Sequence, residues 1–505
     1  MRDYTLEHGD IVFMEPEADP SIYEAYGATV LGWGLQDPSL EDVRKLRSMG
    51  IHPVGWTWCL TAGAKAIYEN PDLRDATERD IEGNPVEPPH TRDQTYEWAK
   101  SWYGCTNHPA FRALVRTWVC RGMHSGADGL HVDDHLGTAR GVTFVYPGGG
   151  GGGFCDYCIE GFRRHLAENE TPELLAEAGV KTFEGFDYRD LVRRYAPTRD
   201  RYLEVKEQIP LYQEFVDWHL QRAAQNVQEL RRLAEDIVGH RVTVSANTFL
   251  EFTVDTVTTP YLDYLICEII QHAEDGVTGL LHTVRRYRMA EAIRRPMACT
   301  PAGADWAYVK EHDSVSLVRI WIALAYACGQ RMMVPSSRQW CHTQEKGTHW
   351  YSAPHKEFIP LYRFIKLHRE LFDDLDTVGP LVIPEGVPET FETHAKRQAL
   401  DAALDKGDPR PLRAGDKVWV FPREGTKGIA VAHLLNLHYD PSTDSVTPQR
   451  NLAVTLAQSV FEGKYTKAEL YTYDDEPLRL ELAKAGGNIS VMVPELRQWS
   501  IIKFT

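Results

Sequence analysis

One stretch of the chain decides the fold, and it reads Asp128-Gly129-Leu130-His131-Val132-Asp133-Asp134-His135. It predicts a short buried strand that ends in two carboxylates and an imidazole, and strand ends are where barrel enzymes hold their catalytic groups. Leu130 and Val132 share one face of this strand, so Asp133 points the other way, toward a barrel interior. The alternative is an Asp-Asp turn that caps the following helix.

Composition describes an ordinary globular protein, and its 505 residues are enough for more than one domain. Asp and Glu total 72 against 55 Lys and Arg, and without a long basic stripe neither nucleic acid nor an anionic membrane is an expected partner. The opening MRDYTLEHGD lacks the features of an export signal, and no segment is long and apolar enough to span a bilayer. Nine cysteines, several in apolar segments, argue against a disulfide framework and favour the cytoplasm. The sequence leaves open whether the protein forms a homo-oligomer.

Short apolar runs alternate with amphipathic helical stretches between Asp10 and Trp340, which is typical of a parallel sheet covered by helices. Eight strands are predicted, at Ile11–Met14, Ala28–Trp33, His52–Trp58, Gly129–Asp133, Val242–Asn247, Tyr264–Ile269, Pro296–Thr300 and Arg331–Pro335. This α/β pattern predicts a (β/α)8 TIM barrel over residues 1–375, closed by a helix at Phe358–Phe372. The link between the first two strands is too short for a full helix.

The pattern changes near Thr377, where strands begin to alternate with turn-rich segments. They are predicted at Val418–Phe421, Ile429–Leu437, Ala468–Tyr473, Ile489–Val493 and Trp499–Phe504, and they indicate an antiparallel β-sandwich domain over residues 376–505. Residues 148–208 are predicted to be an insertion in the barrel, mostly helical after Ile159. The insertion begins with Gly148–Gly153, which predicts a flexible loop because six glycines lose much backbone entropy on ordering.

Polar or aromatic side chains lie at or near the ends of the predicted strands, where a barrel has its active site. They are Glu15 and Glu17 after the first strand, Trp56 and Trp58 on the third, Asp133, Asp134 and His135 at the fourth, Asn247 at the fifth, Glu268 on the sixth, Asp305 and Trp306 after the seventh, and Arg338, Trp340 and His342 after the eighth. Carboxylates with aromatic side chains are typical of a sugar site, since aromatic faces cover pyranose C–H groups and carboxylates bind hydroxyls. The alternatives are barrel packing for the tryptophans and a cap or turn for Asn247.

Glu268 interrupts the apolar run Tyr-Leu-Ile-Cys-Glu-Ile-Ile. An ionised carboxylate in such a run is costly unless it faces a solvated pocket, so a functional role is predicted. The alternative is an ion pair with Arg285 or Arg286.

Cys155-Asp-Tyr-Cys158 precedes a predicted helix, and its spacing suits two thiolate ligands of one tetrahedral metal ion. Cys105 offers a third thiol, and His108 or Asp156 could supply a fourth ligand. A structural zinc and ordinary free thiols are equally good interpretations. A thioredoxin-like redox role is not expected, because a glycine loop stands where its strand should be.

Three motifs follow one another along the chain: Cys105-Thr-Asn-His-Pro-Ala-Phe-Arg, then His131-Val-Asp133-Asp134-His135-Leu-Gly137, then Cys155-Asp-Tyr-Cys158 with Phe162-Arg163 and Leu166. In order and spacing they resemble the first half of the barrel of family 42 β-galactosidases. In that family the second motif reads His-Ile-Asp-Asn-Glu-Tyr-Gly, and its Glu is the acid/base. This chain has His135 at that position and Asp134 in place of Asn, so the mechanism does not carry over. The family's cysteines bind zinc, but with one more cysteine than this chain offers.

A second resemblance rests on Asp128-Gly129-Leu-His-Val-Asp133, on Ala432-His433-Leu-Leu-Asn436, and on Val493-Pro494 through Trp499-Ser-Ile-Ile. The first of these fits the pattern Asp-Gly-x-x-x-Asp, which resembles barrels that cleave α-glycosides, including dextranases and α-galactosidases, where the last Asp is the nucleophile. The other two resemble the sandwich that follows the dextranase-type barrel. Together the resemblances imply a divergent glycoside hydrolase.

The sequence therefore predicts a glycoside hydrolase that uses two carboxylates and no organic cofactor, with a retaining outcome. Asp133 is the predicted nucleophile and Glu268 the predicted acid/base, while Asp134 could take either part. The residues expected to contact the carbohydrate substrate are His135, His131, Asn247, Trp56, Trp58, Glu15, Asp305, Trp306, Arg338 and Trp340. Two alternatives stay open: a non-catalytic carbohydrate-binding barrel, and a metal-dependent hydrolase that uses Asp133, Asp134, His135 and Glu268 as ligands.

Overall fold

The computed structural model describes residues 5–35, 38–59, 61–63, 70–88, 101–143, 149–250, 253–336, 338–341, 350–379, 393–406 and 410–505. All eight strands predicted in the first part of the chain are present. They are β1 (Val12–Phe13), β2 (Val30–Leu31), β3 (Val54–Cys59), β4 (Gly129–Asp133), β5 (Thr243–Asn247), β6 (Tyr264–Ile269), β7 (Met297–Pro301) and β8 (Arg331–Met332).

These eight strands pair in parallel, in the order in which they occur along the chain. β3 to β8 form one sheet in that order, and β1 pairs with β2. A parallel bridge from Val30 to His52 joins β2 to the start of β3, and another from Phe13 to Val334 joins β1 to the end of β8. The pairings therefore return to their starting point, and we call this arrangement the parallel ring. Because all its strands run the same way, their carboxyl ends share one face.

Helices follow most of the ring strands, as the α/β pattern predicts. They are Pro20–Tyr26, Leu40–Ser48, Pro71–Arg74, Pro109–His124, Thr138–Thr143, Asp156–Glu168, Pro172–Ala178, Tyr188–Tyr195, Arg199–Val205, Tyr212–Val238, Leu280–Ala292, Gly303–His312, Val315–Ala327 and His355–Leu367. The first has 7 residues, in agreement with the short link expected there, and the last is the predicted closing helix. Within the described residues, no helix has the length and hydropathy needed to cross a membrane.

The two faces of each ring strand pack into different cores. Leu130 and Val132 of β4 are buried against Phe111 and Val115 of the helix Pro109–His124. Inside the ring, a second cluster contains Trp33, Tyr264, Ile266 and Met333. The alternation predicted for β4, with aliphatic side chains outward and Asp133 inward, is therefore confirmed.

The C-terminal strands form two larger antiparallel sheets around an apolar core, as predicted, and Tyr439–Asp440 and Ser445–Val446 form a further two-stranded antiparallel sheet. One sheet contains Asp376–Thr377, Leu412–Arg413, Val418–Gly425, Ile429–Asn436, Ala468–Thr472, Leu478–Leu480 and Trp499–Phe504, and the other contains Gln449–Ala457, Ala483–Ala485 and Asn488–Leu496. The strand Gln449–Ala457 and the helix His394–Asp405 were not predicted. That strand escapes detection because most of its residues are exposed, which weakens the apolar pattern.

The glycine run is not the flexible loop that its composition suggests. Gly149 to Gly153 are buried, and the carbonyl of Gly150 accepts hydrogen bonds from Arg199 at 2.9 and 3.1 Å; Gly148 lies outside the described residues. A Cβ on Gly152 would lie 1.9 Å from Oε1 of Glu78, and one on Gly153, which has a φ of +90°, would lie 2.7 Å from Nε2 of His219. Glycine is needed here because side chains from other segments of the protein pack directly against this backbone.

Candidate functional site

Three neighbouring ring strands bring Asp133, Asn247 and Glu268 together at the carboxyl face. Asp133 ends β4, Asn247 ends β5, and Glu268 is the next-to-last residue of β6. The side-chain nitrogen of Asn247 donates to Oδ1 of Asp133 at 3.1 Å and to Oε2 of Glu268 at 3.3 Å. Since both oxygens lie so close to one nitrogen, they are separated by no more than about twice that distance. We call these two residues the carboxyl pair.

Burial dominates the electrostatics of the carboxyl pair. It raises the pKa of Asp133 to about 7, against the hydrogen bonds from Asn247 and Trp33, while the charges of Asp134 and Glu268 raise it further. Burial also raises the pKa of Glu268, and the bond from Asn247 opposes it. In both carboxyls burial therefore favours the neutral form. Among the described residues, Asp133 has two hydrogen-bond donors for its ionised form and Glu268 has one.

The alternative for Glu268 was an ion pair with Arg285 or Arg286. Arg285 forms an ion pair with Asp405. Within the described part of the chain, the groups that shift the pKa of Glu268 include no arginine, and its side chain accepts a hydrogen bond from Asn247. Asn247 thus holds the Glu268 carboxyl close to Asp133, and the functional role of Glu268 stays a prediction.

Asp134 and His135 lie in the turn after β4 and make different contacts. Asp134 has a φ of +51°, and its Oδ1 lies 3.3 Å from Nε of Arg140. His135 is fully buried, with Nδ1 2.6 Å from the hydroxyl of Thr258, and burial lowers its pKa well below the usual value. The structure thus gives His135 a packing role in the turn.

His131 lies one layer below Asp133, inside the parallel ring. Its Nδ1 is 3.0 Å from the hydroxyl of Ser245, and its ring centre is 5.2 Å from that of Trp33. Burial lowers its pKa to about 3, so the imidazole is neutral. The side chains of His131 and His135 have no exposed surface, and their expected contact with substrate stays a prediction.

Several predicted residues lie at the rim of the carboxyl face. Glu15 is partly exposed after β1, and burial raises its pKa while the nearby Arg338 lowers it. The exposed Arg338 guanidinium lies 4.0 Å from the ring centre of Trp350, which also contacts the ring of Trp340. Trp350 was missed by the sequence reasoning, because it follows the last ring strand at a distance.

Two of the predicted tryptophans lie on β3. Trp56 is partly buried against the interior cluster of the ring. Trp58 belongs to β3, but its side chain is outside the described part of the chain, as is the whole of His342.

Asp305 and Trp306 stabilise the protein and do not join the carboxyl pair. Asp305 accepts hydrogen bonds from the backbone nitrogens of Gln271 and Ala273, at 2.8 and 2.9 Å, and so holds the loop after β6. Trp306 is 1% exposed and donates to Thr300. Both side chains are buried and bonded within the protein, and their expected contact with substrate stays a prediction.

Three thiols form a separate buried cluster. The sulfur of Cys105 lies 3.2 Å from that of Cys155 and 3.5 Å from that of Cys158, and the last two are 3.4 Å apart. Among the described residues, no other His, Cys, Asp or Glu brings a ligand atom into this group.

The two fourth ligands considered from the sequence lie elsewhere. His108 caps the helix Pro109–His124 by accepting from Ala110, and Asp156 pairs with Arg189 at 2.7 Å. Asn107 contacts the cluster instead, donating from Nδ2 to the sulfur of Cys158 at 3.4 Å.

Glu78 is a further buried carboxyl that the sequence reasoning missed. It is fully buried, and its oxygens lie where a Cβ on Gly141 or Gly152 would be. Burial raises its pKa well above the usual value, and the charges of Cys155 and Asp134 act in the same direction. Its charged local sequence, Thr-Glu-Arg-Asp, gives no sign of burial, so the close packing of the glycine run is the feature that reveals it.

No family model matches the chain. Two curated relatives are α-agarases: one from Thalassotalea agarivorans is 24% identical over 280 residues, and one from Alteromonas agarilytica is 22% identical over 279. Each similarity covers 53% of this chain but 18% and 19% of the respective relative, so the chain matches about a fifth of their length.

Solved structures of similar fold cover nearly the whole chain. The α-L-fucosidase isoenzyme 2 from Paenibacillus thiaminolyticus has a TM-score of 0.57 at 10% identity, over 99% of both chains. A cycloisomaltooligosaccharide glucanotransferase from Paenibacillus sp. has a TM-score of 0.54 at 10% identity, over 97% of this chain and 84% of the other. At this identity the similarity concerns the fold, and the resemblance to family 42 β-galactosidases is not confirmed.

Proposed function

We propose that this chain is a glycoside hydrolase, with a catalytic (β/α)8 barrel over residues 1–375 and a β-sandwich over residues 376–505. The observation that carries the proposal is the bridge from Asn247 to Asp133 and Glu268 at the carboxyl ends of three adjacent strands. Two carboxyl groups held this close, at the face where barrel enzymes act, are what glycosidic cleavage requires. The relatives named α-agarases support the same class of reaction.

The spacing of the carboxyl pair supports a retaining mechanism. Retaining enzymes hold the two carboxyls about 5–5.5 Å apart, whereas inverting enzymes need roughly 6.5–9.5 Å to admit a water molecule. Oxygens that share one amide nitrogen fit the shorter range better. Asp133 attacks the anomeric carbon, while Glu268 protonates the departing oxygen and then takes a proton from the water that releases the sugar. Asn247 and Trp33 stabilise the carboxylate of Asp133 for this part.

We further propose a polysaccharide of the agar type as substrate. The names of the two relatives point to agar. The aromatic rings of Trp340 and Trp350 at the rim of the carboxyl face suit such a substrate, because aromatic faces cover the C–H groups of sugar rings.

The test is the release of reducing ends from agarose, from agaro-oligosaccharides and from a panel of aryl glycosides. Activity should fall by about 10³-fold or more in Asp133→Asn, as expected when a charge needed at the transition state is removed. Asp263→Asn, at the opposite end of the ring, is the matched control and should keep its activity. Binding without cleavage would favour a carbohydrate-binding protein, and loss of activity with a chelator would favour metal-dependent hydrolysis.

We also propose that Cys105, Cys155 and Cys158 bind a structural zinc ion. The fit rests on their chemistry and placement, since three buried thiols lie within 3.5 Å of one another and Asn107 donates to one of them. An ion at this position would fasten the start of the helix Pro109–His124 to the start of Asp156–Glu168. It would stabilise the fold without taking part in the reaction.

A further inference from the structure

Arg140 connects a partly buried and a fully buried carboxylate close to the carboxyl pair. It lies on the helix Thr138–Thr143, just after the turn that follows β4, and its side chain is 6% exposed. Its Nε is 3.3 Å from Oδ1 of Asp134, and its Nη2 is 3.0 Å from Oδ1 of Asp255. A guanidinium group is suited to this task because its planar fork binds two acceptors at once.

The first of these carboxylates lies in a turn with a left-handed backbone. Asp134 has a φ of +51°, a conformation that Asp and Asn adopt more readily than other residues that carry a side chain. Its carbonyl accepts from the backbone of Gly137 at 2.9 Å, and its side chain is held by Arg140. Since Asp133 precedes it directly, any relaxation of Asp134 would turn the peptide that carries Asp133.

The second carboxylate belongs to the connection between β5 and β6. Asp255 is fully buried in a 3-10 helix, Thr253–Thr256. The same connection contacts the turn again through Thr258, which bonds to His135, and Arg140 also lies 5.6 Å from the ring centre of Phe249. Arg140 therefore ties the turn after Asp133 to the segment that follows Asn247.

We propose that Arg140 is a positioning residue, which sets the geometry of the Asn247 bridge between Asp133 and Glu268 through Asp134 and Asp255. The expected loss of catalytic rate without Arg140 rests on the proposed function, whereas the expected change in the Asn247 hydrogen bonds does not. Arg140 itself is too deeply buried to contact a sugar. Its loss should therefore affect the rate of reaction far more than the binding of substrate.

The test compares Arg140→Lys with Arg231→Lys. Arg231 also pairs with a buried acid, Asp263, at 3.0 Å, but at the opposite end of the ring, where it bonds to the carbonyl of Tyr261. Both variants keep the charge and lose the fork, so both should lose thermal stability. In Arg140→Lys we expect kcat to fall about 10²-fold with KM changed less than about threefold, as for a small misplacement of reacting groups. In Arg231→Lys kcat should stay close to that of the natural sequence.

Equal kcat losses in the two variants would overturn the proposal, since stability alone would then explain them. A crystal structure of Arg140→Lys decides the geometric claim without any assay. We expect at least one of the two Asn247 contacts, now 3.1 and 3.3 Å, to lengthen beyond hydrogen-bonding distance. Two intact contacts would contradict it. If the unmutated protein cleaves no glycoside, the proposed function is refuted. The crystal structure of Arg140→Lys would then still test whether Arg140 sets the geometry of the Asn247 hydrogen bonds.

Discussion

Replacing Asp133 by Asn should stabilise the protein, and the gain should grow as the pH rises. Burial raises the pKa of Asp133 from 3.8 to about 7, so the folded protein binds a proton that the unfolded chain releases within this range. The free energy of unfolding of the natural protein therefore falls as the pH rises from about 4 to about 7, and the loss is complete above the folded pKa. Asparagine carries no charge and keeps an oxygen that accepts from Asn247.

The size of the gain follows from the pKa shift. About three pKa units at roughly 1.4 kcal/mol each give an upper limit of about 4 kcal/mol above pH 7. The neighbouring charge of Glu268 contributes to this shift, and part of the gain belongs to relieving that repulsion. Catalytic groups often lower the stability of a protein, so a substitution that abolishes activity can raise the free energy of unfolding.

Urea unfolding of both proteins at about pH 5 and about pH 8 measures the effect. The stability difference between Asp133→Asn and the natural protein should be larger at the higher pH. Asp263→Asn is the control, because its carboxylate pairs with Arg231 and Arg241, so removing it should destabilise the protein at both pH values. A gain for Asp133→Asn that is absent, or no larger at about pH 8, would refute the account of a buried, proton-binding carboxyl.

Three further predictions concern the acid, the glycine run and the thiols. Glu268→Gln should slow substrates with poor leaving groups by about 10³-fold but activated aryl glycosides far less, because only the former need a proton at departure; equal losses would remove Glu268 from the acid role. Gly152→Ala should lower the free energy of unfolding by about 2–3 kcal/mol through collision with Glu78, while Gly122→Ala, whose Cβ would meet the Cα of Gly55 at 3.4 Å, should change it by less than about 1 kcal/mol; similar values for the two variants in urea titrations would refute the close packing of Glu78 against the glycine run. Elemental analysis should find about one zinc ion per chain in the natural protein and less in Cys155→Ser, which should also have a lower melting temperature. A natural protein that contains no metal and is equally stable would refute the proposed zinc site.

Much of the fold could be predicted because local patterns and tertiary structure agree. In β4, the alternation of Leu130 and Val132 with Asp133 fixes which face is buried, and the structure follows it. The eight ring strands were all found from short apolar runs bounded by polar ends. Parallel strands are buried on both faces, which makes their apolar signal strong even when they have only two residues.

The glycine run could not be interpreted correctly from the sequence. Its composition describes a flexible linker, but its conformation is decided by Glu78, which lies about 70 residues earlier in the chain. Contacts between distant segments of this kind leave no local pattern. The same holds for Arg140, whose partners Asp134 and Asp255 are brought together by the fold.

The candidate site was predicted in part. Asp133 and Asn247 were chosen because they end neighbouring strands, and Glu268 because it interrupts the apolar run of the next one; the structure joins all three. Asp305 was also chosen for its position after a strand, yet it bonds to the backbone of the loop after β6. Position after a strand shows that a side chain lies near the carboxyl face, but whether it faces the pocket depends on the loops around it.

The most direct test of the account is covalent trapping of the intermediate. Glu268→Gln, incubated with an activated aryl glycoside that the natural protein cleaves, should accumulate a glycosyl-enzyme because the carboxylate that activates water is missing. Mass spectrometry of its peptides should find one sugar attached to Asp133. Attachment to Asp134 or to another residue, or turnover without any trapped sugar and with inversion at the anomeric carbon, would contradict the central claim that Asp133 and Glu268 form a retaining catalytic pair.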